Sequence, residues 1–149
     1  MVKSSKSDTL TDLVLEIFRL NGLLIAAGDA LVAETGLTSA RWQVVGAIAL
    51  QQGRAPVAHI ANAMGLSRQA VQRIADELEK ANIVEFRDNP HHKRAKLVTL
   101  TAKGQALHEA AMRLQKPWVA ALGAGIDHTA LQATLTTLTQ LRARLEQPT

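Results

Sequence analysis

The stretch Pro56-Val57-Ala58-His59-Ile60-Ala61-Asn62-Ala63-Met64-Gly65-Leu66-Ser67-Arg68-Gln69-Ala70-Val71-Gln72-Arg73-Ile74-Ala75-Asp76-Glu77-Leu78 decides the fold. Val57, Ile60, Ala61 and Met64 fall at i, i+3, i+4 and i+7, the spacing of one helix face. Gly65 follows, and a residue without Cβ opens the positive φ that a tight turn requires. Leu66 is expected to plug that turn, and Ser67 to cap the next helix through its hydroxyl. That helix turns Val71, Ile74 and Leu78 inward and shows Arg68, Gln69, Gln72, Arg73 and Asp76 on its other side. Two helices joined by a glycine-containing turn of this length make a helix-turn-helix.

The outer residues suit the major groove of a duplex. Arginine can donate two hydrogen bonds to guanine, and glutamine can exchange two with adenine. The start of the helix, with the Ser67 hydroxyl, can meet a phosphate. A hairpin pattern comes next. Ile83 to Arg87 alternates, with Ile83, Glu85 and Arg87 on one side, and Lys96 to Leu100 reads as a second strand. Between them Asn89-Pro90 starts a turn, and the tip carries His92, Lys93 and Arg94. A two-stranded ribbon with a basic tip behind such a helix is a wing, and its arginine can enter the narrow minor groove.

Charge agrees with this placement. Between Arg54 and Gly104 there are nine basic residues and five acidic ones; the rest of the chain has eight of each, so the whole net charge of +4 sits in the middle. A basic centre between neutral ends suggests a polyanionic partner.

The flanks read as helices. Leu10, Leu13, Ile17, Leu20, Leu24, Ala27 and Leu31 make one near-heptad stripe, with Gly36 as its stop. Thr38 is an expected N-cap for a second helix to about Gln52, with Trp42, Val45, Ile48 and Ala49 as its apolar face and Gly53 as its end. After the wing, Thr101 caps a helix that Pro117 should kink or interrupt. Gly123 to Gly125 break the chain, and Asp127 caps a last helix with Leu131, Leu135, Leu138, Leu141 and Leu145 on one face. The expected organisation over residues 1–149 is thus mainly α with a small β-hairpin wing. Residues 38–100 form a winged helix-turn-helix, and residues 8–36 and 101–147 form a helical dimerisation region. The alternative for the leucine faces is packing within one chain.

Other functions find little support. The chain has no cysteine, which removes disulfides and thiol sensing. His59, His91, His92, His108 and His128 show no His-x-x-x-His spacing, and no nucleophile elbow or phosphate-binding glycine loop is present, so neither a metal, a cofactor nor an enzyme is expected. No stretch approaches the roughly 18 apolar residues of a membrane helix, and the polar start from Met1 to Asp8 lacks the apolar run of a signal peptide. A cytoplasmic protein is the default. With four aromatics in 149 residues, the core must be aliphatic.

The element order, with Leu37-Thr38-Ser39-Ala40-Arg41-Trp42, Ile60-Ala61 through Ser67-Arg68-Gln69-Ala70-Val71, and the run from Arg87 through Leu100-Thr101-Ala102-Lys103-Gly104, resembles the MarR family of bacterial transcriptional regulators. The resemblance covers nearly the whole chain. It implies a homodimer built from both chain ends, with Leu10, Leu13, Ile17, Leu131, Leu135, Leu138, Leu141 and Leu145 at the interface. The dimer would bind double-stranded DNA at a pseudo-palindrome, with Ser67, Arg68, Gln69, Gln72, Arg73, His92, Lys93 and Arg94 as the DNA-binding residues. Arg94 corresponds to the family's wing arginine. His92 stands where many members have an aspartate that braces it. The resemblance also implies a repressor released by a small aromatic effector, with Phe18, Trp42 and Trp118 as pocket residues. The rival reading is a winged-helix protein-interaction module without sequence-specific DNA binding.

Overall fold

The computed structural model describes residues 4–147. Residues 1–3 of the polar start, and residues 148–149 at the other end, lie outside them. The chain forms two compact units that meet between Gln115 and Lys116.

Six helices and three short strands make up the described residues: α1 (Lys6–Val32), a 3-10 turn (Ala33–Thr35), α2 (Ser39–Leu50), β1 (Arg54–Pro56), α3 (Val57–Met64), α4 (Arg68–Lys80), β2 (Val84–Arg87), β3 (Leu97–Leu100), α5 (Ala102–Leu122) and α6 (His128–Glu146). The winged helix-turn-helix is therefore present, mainly α with a small sheet.

Most helix ends are written in local chemistry. Ser5 and Asp8 form a reciprocal capping box at α1, and the Ser5 hydroxyl and backbone N–H hold the Asp8 carboxyl below the usual carboxylate range. The Thr38 hydroxyl accepts from Arg41 N at 3.2 Å and the Asp127 carboxylate from Ala130 N at 3.0 Å. Gly36 caps the 3-10 turn rather than α1 directly. α2 ends at Leu50, two residues before the expected Gln52. α5 runs through Pro117 as one helix, so the expected interruption does not occur.

The sheet differs from expectation. It has three antiparallel strands in the order β1-β3-β2, with Ala55 opposite Val98 and Phe86 opposite the same residue on the other side. β1 is three residues long, too short to carry an alternating pattern, and its Pro56 is tolerated on an edge strand.

The core is aliphatic. Val32, Leu37, Val44, Val45, Ile48, Ile60, Val71, Ile74, Leu78, Ile83, Val84 and Val98 are buried, with Trp42 and Phe86 packed partly against them. Each large side chain among these contributes about 1.5–3 kcal/mol. α2 is buried on more than the expected face, since Val44 and Ala47 are enclosed as well. Ser39, the one buried polar residue among those described, ties α1 to α2: its hydroxyl donates to Ile25 O at 2.7 Å and its N–H to Asp29 Oδ1 at 2.6 Å.

The terminal helices contrast with this core. α1 buries only Gly28 and Val32, and α6 buries no residue. Leu10, Ile17, Leu131, Leu135 and Leu145 are exposed, Leu145 to 87%, while Leu13, Leu138 and Leu141 are half-buried.

Candidate nucleic-acid interface

The turn between α3 and α4 is made as its residues dictate. Gly65 has φ +64, and its N–H and that of Leu66 close the end of α3 on Ala61 O and Asn62 O. Leu66 does not plug the turn: it is 39% exposed, because the core side of this corner is already filled by Ile60, Ala61 and Val71. The Ser67 hydroxyl accepts from Ala70 N at 3.1 Å, which leaves its own proton free for an outside acceptor. α4 then buries Val71, Ile74, Ala75 and Leu78, and exposes Arg68, Gln69, Gln72, Arg73 and Asp76.

Three of these outward groups are already engaged. Gln72 Nε2 donates to Asp76 Oδ1 at 2.9 Å. Arg73 pairs with Glu77 at 3.8 Å, and Glu77 also receives Arg41 of α2 at 3.3 Å. Among the described residues no ion pair ties down Arg68, Lys93 or Arg94.

The wing reaches the same place. Asn89 shapes its tip: its side-chain oxygen accepts from His91 N at 3.0 Å and its carbonyl from His92 N at 3.2 Å. Arg68, Gln69 and Gln72 of α4, with Arg94 and Lys96 of the wing, rim one cleft of about 550 Å³ floored by Val57, Ala58, Phe86 and Ala95. Arg73 lies along a second groove with Gln69, Gln72, Asp76, Glu77 and Lys80. Ser67, His92 and Lys93 line neither, and His92 is exposed with no side-chain hydrogen bond among the described residues.

A joint fixes the wing to the end of α4. Lys103 Nζ donates to Ala81 O at 2.8 Å, where the last carbonyls of a helix lack partners and carry its negative pole. The Thr101 hydroxyl donates to Asn82 O at 2.6 Å and to Ile83 O at 3.1 Å, and accepts from Gly104 N at 3.0 Å. Gly104 packs so closely that a Cβ there would overlap the Ile83 carbonyl. Leu100-Thr101-Ala102-Lys103-Gly104 is thus a clamp that sets helix and wing against one another.

Comparison with known proteins agrees. The MarR family model matches residues 35–95. An uncharacterised protein of Mycobacterium tuberculosis is 35% identical over 144 residues, covering 94% of this chain and 96% of its own. The solved structure of a MarR family transcriptional regulator from Streptomyces coelicolor is 26% identical, covers 92% of this chain and 95% of its own, and superposes with a TM-score of 0.77. The chain belongs to the MarR family. At 20% identity, a mutant MarR from E. coli complexed with operator DNA shares the fold with a TM-score of 0.78 over 93% of this chain and 99% of its own. MarR family members are transcription regulators, not enzymes.

In MarR terms, α4 is the recognition helix and the β2–β3 hairpin the wing. The motif reading had not included Lys96, Phe86, Val57 or Ala58 in the cleft. Lys96 could have been found as the next basic residue after Arg94; the apolar floor has no signal apart from the fold. A separate cavity of about 410 Å³ lies between α2 and α5, lined by Trp42, Gln43, Gly46, Ala49, Leu50, His108, Met112 and Gln115. Trp42 was expected at a pocket, and Phe18 and Trp118 are not among its lining residues. Phe18 is 71% exposed on α1, and Trp118 is half-buried. His108, weighed in the sequence only as a metal ligand, shares this wall with Met112 and Gln115 at i+4 and i+7, which the sequence reading does not include. His108 Nδ1 itself is buried, with no hydrogen-bond partner among the described residues. No helix among the described residues is long and apolar enough to cross a membrane.

Proposed function

We propose that this chain is a repressor that binds a pseudo-palindromic operator as a homodimer and lets go when a small ligand enters the cavity between α2 and α5. The observation that carries the DNA reading is the shared cleft: Arg68, Gln69 and Gln72 stand beside Arg94 and Lys96, so base-edge chemistry and phosphate chemistry converge on one surface. Ser67, Arg73, His92 and Lys93 lie outside that cleft and complete the proposed contact set from α4 and the wing tip. Two half-sites about one helical turn apart follow from two such helices related by a twofold axis.

The dimer reading is supported by the uncovered leucines of α1 and α6, which a lone chain leaves in water. Leu138→Asp is expected to dissociate the dimer and abolish tight operator binding together; sedimentation showing an intact dimer would remove α6 from the interface. The effector reading is supported by the aromatic wall at Trp42 beside the apolar Ala49, Leu50 and Met112, with Gln43 and Gln115 as polar groups, a setting for a flat ligand with a polar end. A coupling of about 1–3 kcal/mol would weaken DNA binding roughly five- to a hundredfold.

The test is selection of bound sequences from a random duplex pool, followed by a salt titration on the selected and on random DNA. A palindromic motif with steeply salt-dependent affinity is expected, since each neutralised phosphate releases counterions. A pool with no motif, or binding indifferent to salt, overturns the reading.

A further inference from the structure

The outward stripe of α4 holds one group that a surface for a polyanion would ordinarily avoid. Asp76 is exposed near its centre, along the groove shared with Gln69, Gln72 and Arg73. With Glu77 and Glu79 it cancels the charge of Arg68, Arg73 and Lys80, so the helix carries no net charge of its own. Its oxygen Oδ1 accepts from Gln72 Nε2 at 2.9 Å. A free glutamine can flip its amide and read either donors or acceptors. Here a flip would set Oε1 against Oδ1, two acceptors face to face with no proton between them. The tether therefore holds Nε2 toward Asp76 and leaves Oε1 as the amide's unengaged acceptor on an exposed side chain.

We propose that Asp76 is a specificity-determining residue. Together with the Gln72 oxygen it presents acceptors to the major groove, and so selects an amino-bearing base edge, cytosine N4 or adenine N6, at one position of each half-site. Guanine offers O6 and N7, and thymine O4 beside its methyl group; neither presents a donor, and a carboxylate is repelled by their lone pairs. Cytosine can meet Asp76 directly. Adenine can pair its N6 with Oε1 and its N7 with the second Nε2 hydrogen. The inference rests on the reading of α4 as the base-reading helix.

The experiment compares motifs selected from random duplexes by the wild type, Asp76→Asn and Gln72→Ala, with circular dichroism to confirm that each is folded. Asparagine keeps the shape but removes the charge and restores the flip. The wild type is expected to favour adenine or cytosine about tenfold at one position per half-site. Both variants should flatten that position alone, and Asp76→Asn should bind random duplex more tightly than the wild type does. Should one variant fail to fold, the other still reports on the same position. A wild-type motif that Asp76→Asn leaves unchanged overturns the proposal. So does a uniform loss at every position, which would make Asp76 a brace of the helix. A wild-type pool without any motif instead overturns the reading of α4 beneath it, and the proposal falls with it.

Discussion

The recognition helix and the wing face one cleft but are built in opposite ways. α4 has four buried residues beneath it, a net charge of zero, and two of its outward polar groups held by acids on the same helix. The wing, from Val84 to Leu100, buries only Val84 and Val98. It carries Arg87, Lys93, Arg94 and Lys96 against Glu85 and Asp88, and only Arg87 is paired among the described residues, with Glu85. A firmly seated, self-neutralised helix gains little from phosphates and much from a correct base edge. A lightly packed basic ribbon gains from any duplex. On the proposed DNA-binding reading, the contrast would place selectivity on α4 and the larger share of affinity on the wing.

Breaking the joint between the two should have the largest effect. Gly104→Ala drives a methyl into the Ile83 carbonyl, so a loss of about 3 kcal/mol is expected. The thermal melting temperature should fall and both binding functions should go together; an unchanged melting curve would show that the clamp yields freely. Arg94→Ala comes next. It should weaken binding to specific and random duplex alike, by about tenfold for a charge-assisted contact, and lower the salt slope by about one. Fluorescence anisotropy across a salt series measures both, and a loss confined to the operator would reverse the division of labour. Gln69→Ala should lower operator affinity by about 1–3 kcal/mol and leave random duplex nearly untouched; equal losses on the two would make Gln69 a phosphate contact. Glu77→Gln should act least. Freeing Arg73 and Arg41 from a partly exposed pair is worth about 0.2–1 kcal/mol, and it should appear as slightly tighter binding to random duplex in competition assays.

What the sequence made legible was whatever depends on a few neighbouring residues. The caps at Thr38, Ser67, Thr101 and Asp127 need only a side chain and the N–H groups of the next turn. The inward set of α4 is a clean period of three and four. β1 escaped because Arg54 to Pro56 become a strand only when β3 arrives from more than forty residues away. Leu66 was misread because an apolar residue in a turn is assumed to be buried, and its neighbours already fill that corner. Arg68, Gln69 and Gln72 could be chosen by residue type. That Gln72 and Arg73 are tethered was also within reach, since Asp76 and Glu77 follow each at i+4. The α2–α5 cavity required knowing that two helices some sixty residues apart line the same hollow.

Ser39 carries a mechanical consequence. Its hydroxyl and N–H fasten α1 to the first turn of α2, and two residues later Arg41 reaches from α2 to Glu77 on the recognition helix. A roll or slide of α1 would therefore load both fastenings at once. Either those two short, part-buried bonds give way, or the first turn of α2 travels with α1, and only a weak, partly exposed ion pair passes the movement on to α4.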